Sequence, residues 1–159
     1  MTQQTMTFAF YKGRLSQNPH ALLFDRLVTS WPRTEGAFSH GEVVAANGYE
    51  GLSSSFRDKG VRKKKIDFNS GRWVRVTVPV ESLGVTMAQI EQWYSNHIGA
   101  PFDTLGILGF VVPFRLSYSQ WYFCTESIAC ALGLDNPHTW HPNKLYAYLV
   151  SLKGAVSDR

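Results

Sequence analysis

Between Trp73 and Val80 the chain reads Trp-Val-Arg-Val-Thr-Val-Pro-Val, with valine at every second position. Successive side chains of a strand point to opposite faces of a sheet, so this period of two gathers Val74, Val76, Val78 and Val80 on one apolar face. Trp73, Arg75, Thr77 and Pro79 share the other. Such a face must be covered, which demands both partner strands and a layer packed on the sheet.

The rest of the chain offers both. Phe8 to Tyr11 reads as a short aromatic strand. Phe38 to Ala46 is apolar and partly β-branched, and it runs into Asn47-Gly48, a strong hairpin signal. Gly51 to Phe56 would return, and Gly60 to Phe68 is a weaker strand. Helical spacing appears in His20 to Trp31, where Leu23, Leu27 and Trp31 recur one turn apart until Pro32 stops the pattern. Thr86 caps a helix reaching His97, which Gly99 ends. Pro101 to Pro113 carries Gly106 and Gly109 and fits a short helix packed closely on a neighbour. Cys124 to Leu132 is helical up to Gly133, and Pro142 to Leu152 has proline in its first turn. This order predicts an α+β fold, an antiparallel sheet packed against helices. The 159 residues fit a single domain, 1–159.

The formal net charge is +4, and much of the excess lies in Arg57 to Lys65, RDKGVRKKK. Such a strip can hold phosphates or an anionic polymer. It can equally be a solvated strand edge, which lysines blunt against further pairing. The second reading is favoured, and nucleic acid is not an expected partner, because no nucleic-acid motif accompanies Arg62 to Lys65. The N-terminus lacks a basic region followed by a long apolar run, so no signal peptide is expected. The longest apolar stretch, near Leu105 to Phe114, is broken by Gly and Pro and is too short for a membrane span. The expectation is a cytoplasmic protein when made, with incorporation into a virion or similar particle left open. No phosphate loop, metal-ligand set or cofactor fingerprint is present, and no cofactor or metal is expected.

The two cysteines, Cys124 and Cys130, are too few for a disulfide scaffold. On one helix they would stand about 120° apart around the axis and roughly 9 Å along it, out of bonding range. Cys124 immediately precedes a helical run. There the unpaired N–H groups and the macrodipole favour a thiolate and can stabilise an oxyanion. A free cysteine is more commonly a small buried hydrophobe, and Cys130, mid-helix between alanines, is read as core.

Of the five histidines, His20 looks like a helix start and His97 a helix end. His138 and His141 flank a loop and lack a third metal ligand. His40 opens the strand Ser39-His40-Gly41-Glu42-Val43-Val44, where the period of two puts His40 and Glu42 on one face. An imidazole on a sheet, facing a helix N-terminus that carries a cysteine, is a workable Cys–His pair. A surface histidine at a strand end is the plainer alternative.

Phe38-Ser39-His40-Gly41-Glu42-Val43-Val44 resembles the histidine segment of circularly permuted NlpC-type papain-like hydrolases, the YiiX-like group, small members of which are encoded by phages. Trp121-Tyr122-Phe123-Cys124-Thr125-Glu126 resembles their aromatic-Cys-Ser-Glu segment, and Phe102-Asp103 followed by Gly106 and Gly109 is similar to the stretch before the cysteine. His precedes Cys along the chain, as the permutation requires. The resemblance implies a permuted papain-like fold and a cysteine peptidase, amidase or acyl hydrolase. In it His40 deprotonates Cys124, which attacks an amide or ester of a cell-wall peptide, small amide or lipid acyl group. It further implies oxyanion or pocket roles for Tyr122, Thr125 and Ser54. Thr125, Gly41 and Phe102 depart from the usual Ser, β-branched residue and Tyr. The imidazole-orienting residue is Glu42 by strand face and charge, or a polar residue on the next strand, among Ser53, Ser54, Ser55 and Glu50. The alternative function is a non-catalytic component of a phage tail or similar particle, with other tail proteins as partners.

Overall fold

A computed structural model describes residues 4–13, 37–108 and 120–158. The helix expected over His20 to Trp31, and the second half of the Pro101 to Pro113 stretch, lie outside the described residues. Six strands form one sheet: β1 (Thr5–Lys12), β2 (Phe38–Val44), β3 (Glu50–Ser55), β4 (Gly60–Lys65), β5 (Trp73–Pro79) and β6 (Val156–Ser157). Their order is β4-β3-β2-β1-β5-β6, antiparallel at every pairing. The helices are α1 (Val80–Leu83), α2 (Met87–His97), α3 (Thr104–Leu108), α4 (Cys124–Ala131) and α5 (Pro142–Ser151), with a 3-10 turn at Pro137–Thr139. The α+β expectation of an antiparallel sheet packed against helices therefore holds.

The valine stripe does what its period requires. Val74, Val76 and Val78 are buried, while Arg75 between them is exposed. Val80 departs from the stripe. Proline has no N–H with which to extend a ladder, and after Pro79 the chain turns into α1, leaving Val80 half-buried. Phe8 of β1 lies between Val43 and Val76, which places the longest strand mid-sheet. The core fills the space between this face and the helices, with Phe8, Phe10, Val43, Leu52 and Val76 meeting Ile90, Tyr94, Ile128, Leu145 and Leu149. Burying a side chain of this size stabilises the fold by about 1.5–3 kcal/mol. On the opposite face a smaller cluster joins Ala9, Val44 and Phe68, with Ile66 and Trp73 against it.

Local signals set the connections. The Asn47-Gly48 turn joins β2 to β3, but in a loop of five residues in which the Asn47 side chain accepts the N–H groups of Tyr49 and Glu50 at 3.2 and 3.1 Å. Thr86 caps α2 through a reciprocal pair: its hydroxyl accepts Gln89 N–H, and the Gln89 side chain accepts Thr86 N–H at 2.8 Å. Proline opens α5 as its first residue. Among the described residues no helix is long and apolar enough to cross a membrane.

Candidate active site

One irregularity in the sheet creates the site. The ladder between β2 and β3 runs for only two residue pairs, Val43 with Leu52 and Val44 with Gly51. Beyond them the strands part, and the Ser53 hydroxyl donates to the Gly41 carbonyl at 2.7 Å where a ladder bond would have been. The first turn of α4 sits against this opening. The Ser54 hydroxyl donates to the Tyr122 carbonyl at 2.6 Å, which ties β3 to the segment leading into α4. Gly41 allows the approach, since a Cβ there would lie 3.0 Å from Thr125 Cγ2 and 3.4 Å from Ile128 Cδ1. A side chain at this position would therefore press on α4.

Cys124 is the first residue of α4, and its backbone N–H has no acceptor within the helix. Phe102, Phe123 and Ile107 pack around it, and only 6% of the residue is exposed. The N–H of Phe123 is taken by the Glu126 carboxylate at 3.3 Å.

His40 comes to Cys124 from β2. A register shift opposite Tyr11 and Lys12 makes Ser39 the extra residue of a bulge, one position before His40. Bulges re-aim the side chains beside them. The imidazole is 22% exposed and stands between two partners. Its Nε2 lies 2.6 Å from Glu42 Oε1, and the Cys124 side chain is close enough to act on the ring from its other side. Trp73 meets the ring edge-on at 6.3 Å between centroids. Burial disfavours the imidazolium. The negative charge Cys124 can carry and that of Glu42, with hydrogen bonds to both, outweigh burial and push His40 up to about 9.

Glu42 has no exposed surface. Burial pushes its carboxyl up, but Arg62 and then His40 bring it below the usual carboxylate range. Arg62 grips it with two parallel bonds, Nη1 to Oε2 at 2.7 Å and Nη2 to Oε1 at 2.5 Å. The Arg62 Nε donates to Asp58 at 3.0 Å, and Asp58 accepts Lys64 Nζ at 2.7 Å. Gly51 makes room for the carboxylate, since a Cβ there would stand 2.6 Å from Glu42 Oε2.

The structure therefore brings together Cys124, His40 and Glu42. Tyr122, Thr125 and Ser54 are nearby but are committed to structural bonds. Tyr122 N–H donates to the Pro101 carbonyl at 3.0 Å, and its ring packs on Trp93 and His97. The Thr125 hydroxyl donates to the Trp140 carbonyl, and Ser54 is tied to Tyr122 as described. Ser53, Ser55 and Glu50 do not orient the imidazole: Ser53 serves Gly41, and Glu50 pairs with Lys63 at 3.1 Å. Cys130 is half-buried, not core, and burial together with Glu126 pushes its thiol up to about 12. Both cysteines are free. The His141 ring caps α5 by accepting Lys144 N–H at 3.3 Å, and among the described residues no three His, Cys, Asp or Glu side chains gather as metal ligands.

Sequence reasoning left Arg62 in a surface run. A signal existed: a carboxylate on a buried strand face needs a cation, and the β2–β3 register, if continued one pair past Val43 and Leu52, would set Glu42 opposite Ser53, which pairs with Arg62. Comparisons with family models, curated proteins and solved structures return no match to this chain.

Proposed function

We propose that this chain is a cysteine hydrolase of the permuted NlpC-type papain-like class, cleaving an amide or ester bond through an acyl-enzyme. The observation that carries the reading is the His40 imidazole held between Cys124 and the buried Glu42 carboxylate. In the reaction, the Cys124 thiol proton passes to His40. The sulfur adds to the substrate carbonyl, and the oxyanion forms beside the Cys124 N–H at the positive end of α4. Collapse of that intermediate breaks the C–N or C–O bond, with His40 returning the proton to the leaving group. Water, deprotonated by His40, then releases the acid and regenerates the thiol. Glu42 holds the imidazolium throughout. The apolar side chains around Cys124 suit an acyl group, and a cell-wall peptide or small amide remains within the same chemistry.

The 6% exposure of Cys124 favours a second reading, a papain-like fold kept as an assembly component of a phage tail or similar particle. The test offers activated acyl esters and small peptide amides to the Cys130→Ser protein and looks by mass spectrometry for an acyl adduct on Cys124. An adduct that His40→Ala suppresses supports the hydrolase. Failure of every ester to acylate Cys124 in the folded protein sinks it in favour of the assembly component.

A further inference from the structure

The basic run from Arg57 to Lys65 carries a residue that the reaction above does not explain. Along β4, Lys63, Lys64 and Lys65 are exposed, and the first two are paired with Glu50 and Asp58. Arg62 is half-buried, with 14% of its side chain exposed. Three of its nitrogens are engaged by carboxylates, two by Glu42 and one by Asp58. It is therefore not placed to hold a phosphate or a substrate anion.

The decisive detail is which oxygen Arg62 reaches. Glu42 Oε1 accepts from Arg62 Nη2 and is the same atom that holds His40 Nε2. The planar guanidinium fixes the carboxylate plane by its two parallel bonds, and the carboxylate plane fixes the imidazole. Without a cation, a carboxyl buried this completely takes up a proton, and a neutral acid neither attracts the imidazolium nor offers the same lone pairs.

We infer that Arg62 is a positioning residue for the Cys124–His40 pair, acting through Glu42 by keeping its carboxylate ionised and aimed at His40 Nε2. The inference rests on the Cys–His reading proposed above. Asp58 extends the arrangement, so that charges alternate from His40 through Glu42, Arg62 and Asp58 to Lys64 at the surface.

The experiment measures Cys124 alkylation by iodoacetamide against pH in the full chain carrying Cys130→Ser, with folding followed by circular dichroism. Arg62→Gln moves the acid limb of the profile up by about 1–3 pH units, the range over which a neighbouring cation depresses a carboxyl. Arg62→Lys restores part of that shift, since an ammonium supplies the charge without the planar grip. In Glu42→Gln, adding Arg62→Gln causes no further loss, because the arginine has nothing left to act through. This double variant, in which both charges are gone, also serves if Arg62→Gln alone fails to fold. An acid limb unmoved by Arg62→Gln, or losses that add in the double variant, overturns the inference while leaving the Cys–His pair standing. A parent profile indifferent to His40→Ala overturns the pair itself, and the inference with it.

Discussion

Cys124 and Cys130 share one helix and sit about one and two-thirds turns apart, yet the chain treats them differently. Cys130 is the more exposed, yet burial, with Glu126 adding to it, pushes its thiol up to about 12. Cys124 is nearly buried, opens the helix, and faces an imidazole whose own proton is held up to about pH 9. The two positions thus differ in their surroundings: Cys130 meets burial and a carboxylate, whereas Cys124 meets an imidazole.

The largest effect that would break this contrast lies behind the histidine. Glu42→Gln leaves Arg62 facing a neutral amide in a buried position, and losing one member of a buried ion pair costs about 3–5 kcal/mol. Urea unfolding should show a loss of that size, whereas Cys130→Ser should change stability by less than about 1 kcal/mol. His40→Ala removes the cation itself. The alkylation rate of Cys124 at about pH 6.5 should then fall to that of an ordinary thiol. The two cysteines would become alike, and persistent fast labelling of Cys124 alone would refute the contrast.

The pH dependence sharpens the comparison from the imidazole's side. His40 is raised from 6.5 to about 9 in the folded chain. Its contribution to stability is therefore whole below about pH 6.5 and fades as the pH climbs through about 9. The His40 ring resonance should titrate near that upper value. Cys124→Ser should bring it down, and Cys130→Ser should leave it where it is. The smallest effect belongs to the surface: Lys63→Ala and Lys64→Ala each remove an exposed ion pair and should cost at most about 1 kcal/mol, with no change in Cys124 labelling.

The parts of the fold legible in the sequence are those governed by near neighbours. The β5 stripe, the Thr86 cap and the Asn47-Gly48 turn depend on residues within one turn or one strand of each other. Pairing of His40 with Glu42 was legible for the same reason, because two residues of one strand share a face. Contact between His40 and Cys124 was not. It depends on the gap between β2 and β3, which no local pattern announces, and only the family resemblance suggested it. Arg62 was hidden by its neighbours, since four basic residues in a row read as one surface while β4 turns one of them inward. Tyr122, Thr125 and Ser54 were assigned to the oxyanion site or pocket from the family resemblance. The Tyr122 N–H and the Thr125 and Ser54 hydroxyls donate to the carbonyls of Pro101, Trp140 and Tyr122, commitments invisible without the tertiary structure. Two-residue β6 is too short to show any period.

The parting of β2 from β3 has a consequence for the life of the chain. Because Cys124 gains its imidazole only when α4 docks at that opening, more than half the sequence must already be in place before the thiol differs from any other. Long-range contacts of this kind form late in folding. On the proposed Cys–His reading, a nascent or partly unfolded molecule would therefore carry an ordinary thiol, and a strong nucleophile would exist only once there is a structure to contain it.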